Sequence, residues 1–453
     1  MVDVASSNQV KNDGFTPYYV GQTRVFVQSE RFPTIDISKI TMEVRFFENI
    51  GLPYMSAELI IVDSSNASNA APFIGQERVY LSVIDKDENV KISKEFICTG
   101  VSYGQKLNDG TSVYVVKLIE EHAMLSNSTR FRKVYDGKPE DICKQVCEEQ
   151  LGVSVSTESS YQSNMRVVFP FTTNPLAAAI WMTGRCTTSN GSPFYLYSTM
   201  SDDNLQLKSL ETLLKQSPIN SEPYKFTRLT HKLVGGSEDY DTIAKQISGY
   251  TIGNNEDTLL AMSRNVYGGY FNYIDPYEYG SHEKRFDLPT PLDKLPKPNG
   301  TTDHNYDTNF KIGRPYHEGQ NTYWSQLVTR KLFDDGIFSY NEEEDMERHK
   351  KKAESQALYN FMSQSPINIA VPGLEFGVEN LGKMIDVFIT KDIPIDEENV
   401  SRERIKDKKR SGKYLIYGIK HTIFKNRWIS TLTLAKSDTL PSLSQEAGKV
   451  NQV

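Results

Sequence analysis

The sequence predicts a mainly β protein of the α+β class, with two antiparallel all-β units and inserted α+β segments. Six short β-branched and aromatic runs follow one another from Thr23: TRVFVQ, ITMEVRFF, AELIIV, RVYLSVI, EFICTGVSYG and SVYVVKLIE. Turn residues separate them, and no long helical pattern intervenes, which is the spacing of an antiparallel sheet curled into a barrel or sandwich. Four further runs, PINIAV, KMIDVFI, KYLIYGIKHTI and RWISTLTLA, mark a second all-β unit late in the chain. Between the two, capped stretches with an apolar period near 3.6 read as helices.

Taken in order, residues 1–21 are a polar N-terminal arm. Residues 22–126 are the first β unit, and the NDG at Asn108 to Gly110 supplies a hairpin turn because Asn and Gly tolerate positive φ. Residues 127–221 form a small α+β domain. Its first helix lies within Asp136 to Gly152, with Pro139 in the first turn, Glu140 and Asp141 at the positive end of the dipole, and Ile142, Cys143, Val146, Cys147 and Leu151 as one apolar stripe. A second helix is expected over Asn174 to Thr188, capped by Asn174, with MRVVFPF and SPFYLYS as strands.

Residues 222–262 plus 364–440 make the second β unit, with a short helix expected over Ser237 to Ile247. The inserted segment 263–363 begins with an aromatic strand, Val266 to Ile274. It then turns irregular from Asp275 to Gln320, where six of the 20 prolines fall and neither a period of 2 nor one of 3.6 is sustained. So long a loop is expected to spread over a neighbouring surface or subunit. A helix over Asp345 to Gln364 follows, with Ala353, Ala357 and Phe361 on one face. The connector Asp396 to Arg410, with five acids and six bases, reads as a solvated hairpin loop, and 441–453 is a polar tail.

The 453 residues would suit about three domains. Lys and Arg number 51 against 58 Asp and Glu, a formal charge of −7 without a basic stripe, so tight binding of nucleic acid from outside is not expected. No apolar run approaches the roughly 20 residues of a membrane span, and the start lacks the basic and apolar regions of a signal peptide. A soluble protein kept in, or assembled in, a cytoplasm is expected. The four cysteines, Cys98, Cys143, Cys147 and Cys186, are too few to staple the chain; Cys143 and Cys147 read as buried small hydrophobes rather than a metal or redox pair.

No HExxH, GxSxG or GxxxxGK[ST] occurs, and the histidines are dispersed. The best metal candidate is His304 with Asp303 and Asp307, plus His282 and His317 in the same Pro-rich stretch. Loop histidines near acids are common by chance, and no metal, cofactor or catalytic residue is assigned. No motif selects a glycosidase carboxylate pair. The 25 Tyr and 3 Trp could stack on carbohydrate, though most tyrosines fall where strands prefer aromatic residues anyway.

Three segments carry a family resemblance. VYVVKLIEEHAMLSNSTRFRKVYDGKPEDICKQVCEEQLG, from Val113, resembles the end of the first barrel in phage contractile-tail baseplate central hub proteins; VVFPFTTNPLAAAIWMTGRCTTSNGSPFYLYS, from Val167, is similar to their aromatic-Asn-Pro helix and strand pair. INIAVPGLEFGVENLGKMIDVFI and SGKYLIYGIKHTI with the following W.STLTLAKS resemble the closing strands, including turns at Pro372–Gly373 and Gly382. The resemblance runs from about Thr23 to Leu440, outside 275–320, and extends to the T4-like hub and secretion-system spike hubs.

It implies two tube-like antiparallel β-barrel domains per chain, and a non-enzymatic homotrimer whose six barrels join a threefold central spike to a sixfold tail tube. The implied partners are the spike, tail tube or tube-initiator proteins, the tape measure protein, the surrounding baseplate wedge, and DNA passing through the lumen without specific binding. The implied place is the virion tail baseplate, assembled in the host cytoplasm. Three chains would carry −21, three times −7, so lumen-facing positions are expected to be acidic or polar. The rival readings are a receptor- or carbohydrate-binding tail component and a cell-wall hydrolase.

Overall fold

In the computed structural model the described residues are 20–64, 73–85, 87–108, 111–226, 245–252, 268–275, 280–287, 289–300, 327–329, 337–339, 342–364, 367–374, 379–391, 406–425 and 427–438. They form a mainly β protein of largely antiparallel sheets with few helices.

The six N-terminal runs are all strands. They lie in β1 (Gln22–Gln28), β3 (Thr41–Asn49), β4 (Ser56–Asp63), β5 (Arg78–Ile84), β6 (Val90–Asn108) and β7 (Thr111–Ile119), with a short β2 (Ile35–Asp36) between the first two. Alternate residues go inside, as in β4, where Ala57, Leu59 and Ile61 are buried and their neighbours are not, the period-2 signature of a half-buried strand. The Asn108–Thr111 pairing closes the β6–β7 hairpin, and the expected turn residues 109–110 lie outside the described residues.

The strand order is β3-β4-β7-β6-β5-β1, and one continuous segment, 35–49, touches both ends of it. Ile35 and Asp36 pair with β1, and the Ile37 N–H donates to Val25 O at 3.0 Å. Three residues on, Ile40 O accepts from the Val62 N–H at 2.9 Å, and β3 then pairs with β4.

The next segment carries α1 (Glu121–Ser128), β8 (Phe131–Gly137), α2 (Pro139–Leu151), β9 (Val155–Thr157), β10 (Met165–Thr173), α3 (Pro175–Thr183), β11 (Phe194–Thr199), β12 (Asp202–Ser209) and α4 (Leu210–Leu214). Helix α2 starts at Pro139, whose missing N–H costs nothing in a first turn, and stops at Gly152, whose φ of 69° suits a residue without Cβ. In α3 the Asn174 side chain accepts from the Ala177 N–H at 2.8 Å. The helix ends at Thr183 rather than Thr188, because three-residue turns (Arg185 N–H to Met182 O, Cys186 N–H to Thr183 O) tighten its exit and Thr187 then bridges Pro193. Ile142, Cys143, Val146 and Cys147 pack with Ala178, Ala179, Met182 and Cys186 in a core separate from the large one.

The remaining elements are β13 (Tyr224–Phe226), β14 (Gly249–Ile252), β15 (Gly268–Asp275), β16 (Gly280–Asp287), α5 (Pro289–Asp293), β17 (Leu327–Thr329), β18 (Ile337–Ser339), α6 (Glu342–Gln364), β19 (Ile367–Pro372), β20 (Met384–Ile389), β21 (Gly412–Phe424) and β22 (Arg427–Ala435). The Pro-rich stretch is less irregular than its composition suggests: GSHEKRFD forms β16 against β15, and PTPLD forms α5. The charged β16 has no apolar alternation to announce it, and its ladder partner holds it in place. Strand β18 leaves its own neighbourhood to pair with β10. Of the helix expected over Ser237 to Ile247, residues 237–244 lie outside the described residues, and Lys245 to Ile247 bond to β13 instead.

This second run has the order β19-β22-β21-β20-β13, and again one segment, 245–252, touches both ends. Lys245 O accepts from the Lys225 N–H at 2.8 Å, the Ile247 N–H donates to Lys225 O at 2.9 Å, and β14 then pairs with β19. Strand β21 also pairs with β3, so both runs belong to one 13-stranded sheet with one continuous apolar core. Among the described residues no helix is long and apolar enough to cross a membrane.

Candidate functional site

The feature that organises the molecule is the seam where the two runs meet. Strand β21 is long enough to serve two neighbours. Residues Gly412 to Leu415 pair with β20, and after a bulge at Tyr417 residues Gly418 to Phe424 pair with β3, from Gly418 opposite Asn49 to Phe424 opposite Glu43. A bulge re-aims a strand, which lets β21 leave one sheet direction and enter another. The Tyr417 carbonyl accepts from the Ile50 N–H at 3.0 Å. Gly418 gives β3 room, since a Cβ there would lie 3.3 Å from Glu48 O.

A buried polar network locks the seam. His421 on β21 and Glu48 on β3 face each other with Nε2 and Oε2 3.5 Å apart, both almost fully buried. The other ring nitrogen, Nδ1, lies 3.2 Å from Trp428 Nε1, an obligate donor, and 2.8 Å from Ser430 Oγ. Nδ1 is therefore the acceptor, and the proton sits on Nε2 toward Glu48. Glu48 Oε1 also accepts from the Met200 N–H at 2.6 Å, which ties the α+β segment to the seam. Glu120 makes a parallel tie, accepting from the Met55 N–H at 2.6 Å and the Ser198 hydroxyl at 3.0 Å. Trp428 in turn covers the Pro372–Gly373 turn so closely that a Cβ on Gly373 would lie 2.2 Å from its ring.

Around the seam, Tyr195 stacks on Tyr359 at 5.1 Å and meets Tyr417 edge-on at 6.1 Å. Its hydroxyl is buried without a hydrogen-bond partner among the described residues, and burial pushes the phenol's pKa well up. The adjoining cavity, about 250 Å³ and lined by Ile50, Ile180, Thr183, Tyr195, Ser355 and Tyr359, carries no acid, Lys or His on its walls. A shallower hollow contains Glu158 and Glu211, but both carboxylates are engaged: Glu158 accepts from the Ser209 N–H and hydroxyl at the start of α4, and Glu211 pairs with Lys215 at 2.7 Å.

At the C-terminal end of β22, Lys436 is buried over the Tyr414 ring, and its ammonium donates to Lys409 O at 2.5 Å. Burial pulls its pKa down to about 7, against the opposing pull of Asp438 and Asp407. Asp438 accepts from the Asn299 N–H at 2.9 Å, which pins this part of the Pro-rich stretch to the second run.

Of the metal candidates in the sequence, Asp303, His304, Asp307 and His317 lie outside the described residues, and His282 lies on β16. Among the described residues no group of three or more potential ligands comes together. All four cysteines are buried. Burial, then the nearby Glu77 carboxylate, pushes Cys98 up to about 12, and Cys143 Sγ lies 3.7 Å from Ala179 O. The pairing of His421 with Glu48 is not legible in the sequence, although SGKYLIYGIKHTI, which contains His421, is the strongest single piece of the resemblance.

The fold defines a class. Against solved structures the chain aligns with a tail protein from Neisseria meningitidis MC58 at TM-score 0.50 and 10% identity, over 92% of this chain and 97% of that one. A 43 kDa tail protein of prophage MuSo2 from Shewanella oneidensis aligns at TM-score 0.50 and 9% identity, over 92% and 98%. An E. coli component of the type VI secretion system aligns at TM-score 0.39 and 9% identity, over 89% and 76%. No family model and no curated protein matches the sequence. The fold is that of phage tail proteins, in agreement with the resemblance in the closing strands.

Proposed function

We propose that this chain is the baseplate hub of a phage tail, a trimeric symmetry adapter between a threefold central spike and a sixfold tail tube. The observation that carries this is the paired architecture. Each strand run is spanned end to end by one continuous segment, and the two runs are joined edge to edge at the β21–β3 seam. Two similar runs per chain become six around a threefold axis, which is what a threefold-to-sixfold adapter requires. In this reading 22–126 and 222–262 with 364–440 are tube-like barrels, 127–221 is the α+β domain, 263–363 is an insertion, and 1–21 and 441–453 are termini.

The chain then acts as structure rather than as an enzyme, and its ring forms part of the DNA conduit in the virion tail. Acidic or polar lumen walls let DNA pass without sticking, consistent with the formal charge of −7. Its partners are the spike, the tube or tube-initiator proteins, the tape measure protein and the baseplate wedge. The carbohydrate-binding alternative has less support: of Phe171 and Tyr161, the most exposed aromatic residues among those described, the second has Lys351 over one face of its ring, the ammonium 3.5 Å from the centroid. Native mass measurement of the chain alone and mixed with the spike protein of the same tail tests the proposal. A trimer that binds one spike trimer is expected. A stable monomer without spike affinity overturns it.

A further inference from the structure

The two strand runs are equivalent strand by strand, and one of them has an edge that the other has filled. Strand β6 matches β21. Each pairs with a short strand up to a turning point: Cys98 donates its N–H to Glu77 O and accepts from the Gln76 N–H, just as Ile416 donates to Lys383 O and accepts from the Gly382 N–H. The residues that accept this geometry, Gln76 and Gly382, both have φ of 73°. Each strand then bulges by one residue, Thr99 or Tyr417, and continues from a glycine, Gly100 or Gly418. Beyond the bulge the equivalence ends. Gly418 lies against Glu48 and Asn49 of β3, whereas among the described residues a Cβ on Gly100 would meet nothing within 4 Å. Among the described residues β6 beyond Cys98 pairs with β7 alone, and its other edge has no strand against it.

We infer that this open edge, Gly100 to Asn108, receives strand β14 of a second copy of the chain. The inference rests on the hub reading for the number of copies, but the choice of edge and occupant comes from the internal repeat. Strand β14 is the counterpart of β3: both follow a segment bonded to the far end of their own run, and both end that run. In this chain the outer edge of β3 is taken by β21, while among the described residues β14 pairs only with β19.

The repeat also dictates the register. Gly418 faces Thr433 as Gly100 faces Lys117; Thr433 faces Asn368 as Lys117 faces Glu58; Asn368 faces Thr251 as Glu58 faces Arg45. Arg45 pairs with Thr422, the fourth residue after Gly418, so Thr251 of one copy belongs opposite Gly104 of the next, and Ile252 opposite Tyr103. Such an antiparallel addition fills backbone donors and acceptors that an exposed edge leaves open, and because edge and occupant differ it propagates head to tail until the ring closes.

Cysteines at the two predicted partners test this, since residues directly opposite in a ladder bring Cβ atoms to about 4.5–5.5 Å, near disulfide reach. The native cysteines are buried and give little background. Under mild oxidation the double variant Tyr103→Cys/Ile252→Cys is expected to give a ladder ending at three linked chains. Mixing the two single variants is expected to give linked pairs, which no contact within one copy can produce. A trimer of native mass without linkage, at these positions or their immediate neighbours, overturns the edge assignment and leaves the hub reading standing. A chain that stays monomeric throughout overturns both.

Discussion

The outer edges of β6 and β21 start from the same local design and end in opposite states. After β21 bulges, it is covered by β3, and the join is sealed by His421, Glu48, Trp428 and Ser430. After β6 bulges, a Cβ on Gly100 would meet none of the described residues within 4 Å. An edge that is covered within the chain can carry a buried ionisable pair, because neighbours on both sides exclude water and supply every hydrogen bond. An edge reserved for another molecule has to remain compatible with water until that molecule arrives. The seam therefore belongs to the stability of one chain, and the β6 edge to its assembly.

The comparison breaks most easily at the sealed edge. Replacing Glu48 with Leu leaves the His421 N–H and the Met200 N–H without their acceptor, and each buried donor left unsatisfied costs about 1–3 kcal/mol. Denaturant unfolding of the isolated chain is expected to show that loss. Little change would mean that the pair does not hold the seam.

Gly373→Ala comes next. Its Cβ would overlap the Trp428 ring, and overpacking of this kind costs about 1–3 kcal/mol. A lower unfolding midpoint is expected, with partial recovery when Trp428→Leu is added.

The matched glycines sharpen the contrast directly. Gly418→Val pushes against the β3 backbone and is expected to destabilise the isolated chain by about 1–3 kcal/mol. The added Cβ of Gly100→Val meets no described atom within 4 Å, so the isolated chain is expected to stay within about 0.5 kcal/mol of the parent while assembly weakens. Unfolding curves read the first effect, and the concentration dependence of the oligomer reads the second. Equal destabilisation by both substitutions would erase the distinction.

The last expected effect is read through pH and lies at Lys436. Its folded pKa, about 7, is below the unfolded value of about 10.5. Between those values the folded chain has released a proton that the unfolded chain still holds, so stability rises with pH across that window and the contribution is flat below it. Lys436→Met is expected to remove that slope. An unchanged pH profile in the variant would place the titration elsewhere.

Much of this was legible where local chemistry decides. Pro139, Gly152 and Asn174 bracket their helices as their backbone preferences require, and the alternation in AELIIV announces which side of β4 is buried. The stripe of Ile142, Cys143, Val146 and Cys147 is the α2 face that enters the core. Where pairing is decided by a distant strand, the sequence was mute. Strand β16 has the composition of a loop, three-residue β18 is recruited by β10 from far along the chain, and Glu48 meets His421 only because β3 and β21 join two runs. The residue-for-residue match of CTGV to IYGI shares only its glycine, too little to stand out before the hydrogen bonds are seen.

The central claim is that two equivalent strand runs per chain become six around one axis. End-on electron-microscopy class averages of the purified assembly test it most directly. Six similar lobes around an open lumen, paired by threefold symmetry, are expected; a single-chain particle, or a threefold particle with a filled centre, rules this arrangement out.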